Sequence, residues 1–293
     1  MEGWEGLGGG AIGEERYSTH GTPSVAFAFQ QARVGLQNVH ATLRYRSARF
    51  QGQTRPFRVS TEDGITVVGD RIGSGRVAFV FCHGFLGWHR KPRLVRFQEA
   101  LARRFTVYGF DFRGHGGSEG LCGFGAREHL DVDAVARLAH ADGFQKVVTF
   151  GGSMGGIAVI RHAALLGGVD MVVAVSTPAL WYGHESDAVR RLAWLTSSPL
   201  GRRTLRVSGV RPSPSFTRVE DPMDLVGKIA PIPVVLVHGR DDHFFDEEQA
   251  WALYRAANPP KRLLLASRFG HAEDGYTDAF ADQIAQTVEA MVW

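Results

Sequence analysis

The chain has 293 residues, 33 Lys and Arg against 30 Asp and Glu, and two cysteines, Cys82 and Cys122. That length can bury a full-sized core, as one large domain or as one domain carrying an insertion, while two cysteines cannot build a disulfide scaffold. A net charge of +3 without zinc-finger or RNA-binding spacing gives no reason to expect nucleic acid, and no apolar run reaches the ~20 residues that cross a bilayer.

Residues 1–24 are rich in Gly and small polar groups and read as a flexible leader. They lack a basic region followed by an apolar core, so the expected location is cytoplasmic. Phe29, Ala32, Leu36, Val39 and Leu43 then recur at helical spacing, predicting a helical extension over 25–56. Arg33, Arg44, Arg46 and Arg49 would give it a basic side or end, which leaves a weak membrane-surface contact or a dimer contact open beside packing on its own domain. Segments 57–61 and 65–70 flank Glu62-Asp63-Gly64 as a short antiparallel pair.

From there apolar runs alternate with helical patterns. Strands are predicted at 77–82, 105–110, 146–150, 169–175, 233–237 and 262–266. Helices are predicted around Leu94, Phe97 and Leu101, over 127–140, after Gly155, over 248–257, and at the end through Phe280, Ile284 and Val288. This rhythm predicts an α/β fold, a mostly parallel central sheet flanked by helices, with the core formed by 57–180 and 227–293. Residues 181–226 break it and read as a short lid or cap insertion with one helix at 186–195. Arg190, Arg191, Arg202, Arg203, Arg206 and Arg211 have no acid between them and read as a solvated face or as an attractor of anions.

Four strand ends carry chemistry. Gly151-Gly152-Ser153-Met154-Gly155 stands between a strand and a helix, where Gly151 and Gly155 would permit a sharp turn that presents the Ser153 hydroxyl as a nucleophile. His83-Gly84-Phe85 ends an earlier strand. There Gly84 would let the backbone approach a reacting carbonyl, and the Phe85 and Met154 N–H groups would stabilise an oxyanion. Asp111 and Arg113 are expected to brace the loop Asp111–Ser118 by a charge-assisted contact, and His83 to support backbone. Asp241, Asp242 and, later, His271 provide the acid and base that a serine nucleophile requires, in the chain order Ser, Asp, His.

In that order, over about 57–292, the motifs resemble the serine-dependent branch of the α/β-hydrolase superfamily. Asp111-Phe112-Arg113-Gly114-His115-Gly116 further resembles monoacylglycerol-lipase and serine-aminopeptidase relatives. The resemblance implies Asp242, four residues beyond the histidine of His238-Gly239, as the acid, with Asp241 as its substitute if the loop is shifted. It also implies His271, which follows a glycine, as the base. No metal or organic cofactor is expected. Leu86, Trp88, Trp181, Tyr182, Trp194 and Phe244 are candidates to line an acyl pocket. The expected activity is hydrolysis of a small-molecule ester with a small or medium hydrophobic acyl group, through an acyl-serine. Amide hydrolysis, acyl transfer and a non-catalytic sensing or interaction role on the same scaffold stay open, as does the oligomeric state.

Overall fold

The computed structural model describes residues 4–5, 47–181 and 186–292. Most of the predicted leader and of the helical extension, including its proposed membrane contact, lies outside the described residues. Within the leader, β1 (Trp4–Glu5) pairs antiparallel with Leu265 and Ala266.

Runs rich in Val and Phe form the centre of the sheet, because strands covered on both faces need no polar alternation. β4 (Ala78–Cys82), β5 (Thr106–Asp111), β6 (Val147–Gly152), β7 (Met171–Val175) and β8 (Val234–Gly239) are buried at every position. With β9 (Lys261–Ala266) they pair in parallel in the order β5, β4, β6, β7, β8, β9. β2 (Thr54–Ser60) and β3 (Thr66–Ile72) continue the sheet antiparallel beyond β5, so the described strands run β1-β9-β8-β7-β6-β4-β5-β3-β2.

Successive side chains of a strand leave by opposite faces, which splits the core in two. Val80 and Cys82 pack with Val132 and Val135 of α2 (Glu128–Ala141) and with Ala158 and Val159 of α3 (Met154–Leu165). Phe79 and Phe81 pack on the other face with Leu94 and Phe97 of α1 (Pro92–Leu101) and with Phe280 and Ile284 of α8 (Asp278–Val292). The sheet is thus covered on both sides, as its apolar runs require.

The structure differs from the expected helical extension at its end. Residues 47–53 are not helical and β2 begins at Thr54, because Thr54 to Ser60 find a complete ladder on Ile72 to Thr66. Pro56 is tolerated there since β2 is the edge strand and pairs on one side only.

Residues 181–226, where one helix was expected, hold three among the described residues: α4 (Asp187–Ser197), α5 (Pro199–Val207) and a short one at the end. Ser198 ends the first and caps the second, its hydroxyl accepting the Gly201 N–H at 3.0 Å. Beyond them Arg211 is stitched to the loop after β5, donating its N–H to Gly114 O at 2.7 Å and accepting from Cys122 N–H at 2.8 Å. α6 (Pro222–Val226) then returns Leu225 and Val226 to the core. α7 (Glu247–Ala256) joins β8 to β9.

Candidate active site

Because β4 to β9 are parallel, the segments that follow β4, β6, β8 and β9 all leave the same edge of the sheet. That edge is where an open α/β sheet places its crevice. Ser153, between β6 and α3, adopts φ 54° and ψ −118°, a left-handed conformation rare for a residue with a side chain. Its N–H is tied to Val175 O at 2.9 Å.

The glycines make that turn possible. A Cβ at Gly151 would lie 2.1 Å from Gly155 O, and one at Gly155 would lie 2.5 Å from Cys82 O. Only hydrogen fits where strand, turn and helix cross. A Cβ at Gly84 would instead stand 3.6 Å from the Ser153 Cβ, so glycine there leaves the space beside the serine open.

His271, just after β9, places Nδ1 2.8 Å from Asp242 Oδ2 and 3.0 Å from Oδ1. Asp242 Oδ1 also accepts the Phe244 and Phe245 N–H groups at 2.8 and 3.1 Å. Burial tends to raise its pKa, but the contact with His271 and these backbone donors hold the carboxyl below its ordinary range. The Asp242 side chain is fully buried, whereas Asp241 is exposed, so the carboxylate against the imidazole is Asp242. An acid in that position fixes the ring with its proton on Nδ1 and frees Nε2 to accept one. His238 sits beneath, its Nε2 3.1 Å from Phe245 O, and burial holds its pKa down.

The loop after β4 is held from inside. His83 is buried, which pushes its pKa down to about 3 and keeps the ring neutral. Its Nδ1–H faces Gly84 O at 2.7 Å, and its Nε2 accepts the Phe112 N–H at 3.1 Å. His115 Nε2 reaches Phe85 O at 2.6 Å. With the carbonyls of Gly84 and Phe85 engaged, the loop's conformation is set. Neither the Phe85 nor the Met154 N–H donates a hydrogen bond to another of the described residues.

A cavity of about 550 Å³ opens on Ser153 and His271. Its walls are mainly apolar, with Phe85, Leu86, Phe124, Met154, Ile157, Trp181, Leu192, Phe216 and Phe244 among them. The expected lining residues Leu86, Trp181 and Phe244 are there. Trp88 and Trp194 are not: Trp88 is buried in the loop before α1, and Trp194 points outward, 50% exposed. The physical reason for the second is helical phase, since Val189, Leu192, Ala193 and Thr196 form the inward stripe and Trp194 falls on the other side. Tyr182 lies outside the described residues. Sequence reasoning missed Phe124, Ile157 and Phe216, which no motif marks. The stripe at 189, 192, 193 and 196 was detectable as a periodicity.

Asp111 and Arg113 do not pair. Asp111 Oδ1 takes the backbone N–H and Nδ1 of His89 at 2.8 and 2.7 Å, while Arg113 binds the buried Asp131 at 2.7 Å and Asp63 at 2.6 Å. Asp111 is the last residue of β5, whereas Arg113 lies beyond it in the loop, where the chain turns its guanidinium to Asp131 and Asp63. His89, which no motif singled out, also faces Asp70. Among the described residues no group of three or more His, Cys, Asp or Glu side chains is arranged to hold a metal ion, and no helix is long and apolar enough to cross a membrane.

A profile of the Alpha/beta hydrolase family matches residues 79–292, nearly three quarters of the sequence. The chain belongs to the alpha/beta hydrolase family. It is 25% identical over 196 residues to the uncharacterized protein YfhR of Escherichia coli O157:H7, a match covering 64% of this chain and 61% of that protein. The esterase Pf2001 of Pyrococcus furiosus superimposes with a TM-score of 0.67 at 20% identity, covering 83% of this chain and 94% of the esterase. The esterase RhEst1 of Rhodococcus sp. ECU1013 gives 0.65 at 20% identity, covering 80% and 99%. At that identity, these two likenesses bear on the fold.

Proposed function

We propose that this alpha/beta hydrolase is a serine esterase acting on carboxylic esters with a small or medium hydrophobic acyl group. The observation that carries the reading is that His271, paired with Asp242, and Ser153 on its strained elbow line the same apolar cavity. His271 Nε2 would take the Ser153 proton as Oγ bonds to the ester carbon, and the carbonyl electron pair moves onto oxygen. The Phe85 and Met154 N–H groups would hold that oxyanion, each worth on the order of 10²–10³ in turnover. As the tetrahedral species collapses, the C–O bond to the alcohol breaks and His271 gives its proton to the departing oxygen. His271 then deprotonates water, which adds to the acyl carbon. The second collapse frees the acid and returns the proton to Ser153 Oγ.

Asp242 stays ionised throughout, orienting the ring and stabilising its cation. The apolar walls exclude water from the acyl chain and favour hydrocarbon over charged acyl groups. Esters are also the substrate class named for two solved structures that share the fold. The test is labelling by a fluorophosphonate, with wild type and Ser153→Ala side by side, followed by turnover of soluble acyl esters. Labelling and turnover confined to the wild type are expected. Equal labelling of both proteins would refute Ser153 as nucleophile, and cleavage of amides with negligible ester turnover would replace the substrate class.

A further inference from the structure

The insertion has two chemically different sides. Along α4, the stripe of Val189, Leu192, Ala193 and Thr196 faces the cavity. Arg191 and Trp194 lie on the opposite side of that helix, both exposed. Along α5, Gly201 and Leu205 are the buried positions. Arg203, Arg206 and Val207 fall away from them by helical phase and are exposed, as is Leu200 in the first turn. Three large apolar side chains therefore stand in water within 14 residues: Trp194 is 50%, Leu200 63% and Val207 60% exposed.

The charge around them is mostly positive: the one carboxylate of α4, Asp187 in its first turn, is paired with Arg190. Residues 188–219 contain seven arginines, no lysine and no Asp or Glu. Two of these arginines are turned to the chain itself, Arg202 donating to Ser213 O at 2.6 Å and Arg211 to the backbone of the loop after β5. Arg191, Arg203 and Arg206 are exposed and have no carboxylate partner among the described residues.

We propose that the outer side of α4 and α5 is a docking surface for an anionic lipid bilayer. Exposed Trp and aliphatic side chains among unneutralised arginines are what an interfacial surface requires: the apolar groups enter the acyl boundary while the cations meet lipid phosphates. A purely electrostatic partner such as a nucleic acid duplex would use the arginines and leave Leu200 and Val207 in water. The bilayer satisfies both sets of side chains. The location fits as well, since the inward side of α4 is a wall of the cavity and docking of its outer side would leave only this helix between cavity and lipid.

This inference does not depend on chemistry at Ser153, so the experiment uses the full chain with Ser153→Ala, which keeps lipid turnover out of the measurement. Cosedimentation is measured with vesicles of phosphatidylcholine alone and of phosphatidylcholine mixed with phosphatidylglycerol. Binding to the mixed vesicles only, weakened by added salt, is expected. Arg191→Gln/Arg203→Gln/Arg206→Gln is expected to lower the partition coefficient on the order of 10²-fold. Trp194→Ala/Leu200→Ala, which leaves the charge intact, is expected to lower it as well. All five positions are exposed, and unchanged urea unfolding of the variants checks that they fold. Equal binding to both vesicle types, undiminished binding of the triple variant, or binding indifferent to Trp194 and Leu200 would overturn the proposal. Capture of a DNA duplex in place of vesicles would also overturn it.

Discussion

His89 is the side chain from which the loop after β4 is anchored, and its charge can be read from its neighbours. Nε2 lies 2.8 Å from Asp70 Oδ2 and Nδ1 2.7 Å from Asp111 Oδ1, in a site where the residue is only 7% exposed. Both ring nitrogens face carboxylates, so the ring is most stable as a cation. Burial opposes the charge, but the hydrogen bonds and attraction from Asp111 and Asp70 outweigh it and raise the pKa from 6.5 to about 9. A histidine raised in this way stabilises the fold fully below pH 6.5, and the contribution is lost as pH climbs through about 9. A shift of that size corresponds to about 3 kcal/mol. The same contacts hold Asp70 and Asp111 below their ordinary range, which is the same attraction seen from the other side and adds no second contribution. Arg90 binds both oxygens of Asp70, at 2.6 and 2.8 Å, so in His89→Gln it is Asp111 that loses its cationic partner. Urea unfolding of wild type and His89→Gln at about pH 6 should show the variant less stable by about 3–5 kcal/mol, the usual cost of breaking a buried pair. By about pH 10 the gap should shrink by about 3 kcal/mol, while the other titrating groups cancel in the comparison. A gap of the same size at both pH values would refute the buried cation.

Asp242→Asn should lower kcat/KM for a soluble ester on the order of 10⁴-fold with folding unchanged by circular dichroism, whereas Asp241→Asn should stay within a few-fold of wild type; the reverse order would move the acid. Gly155→Ala should cost about 1–3 kcal/mol in urea unfolding, because its Cβ would lie 2.5 Å from Cys82 O, and wild-type stability would show that the elbow has room to relax. Leu192→Trp should fill part of the 550 Å³ cavity and move the preferred acyl chain to shorter esters in a chain-length series. An unchanged preference would place the acyl chain elsewhere.

The sequence by itself determined the layered α/β architecture, since strands as apolar as 78–82 and 171–175 have to be covered on both faces. It also marked the elbow, because the close backbone crossings at Gly151 and Gly155 exclude a side chain and so leave a local trace. The approximate places of Ser153, Asp242 and His271 were legible for a related reason: in a parallel sheet all strand ends that point the same way meet at one edge. What only the tertiary structure decided is everything that depends on side-chain direction between distant segments. Asp111 and Arg113 share a motif, yet their partners, His89, Asp63 and Asp131, are set by the turn of the chain after β5 and by segments that pack from elsewhere. Asp242 over Asp241 was a choice between adjacent carboxylates that burial against His271 makes and composition does not. Trp194 carried the chemistry of a pocket residue, but helical phase relative to Val189 and Leu192 turned it to the outer surface. Motifs report local backbone necessity, whereas the lining of a cavity is fixed by the rotation of each helix against the sheet, a property no short stretch of sequence contains.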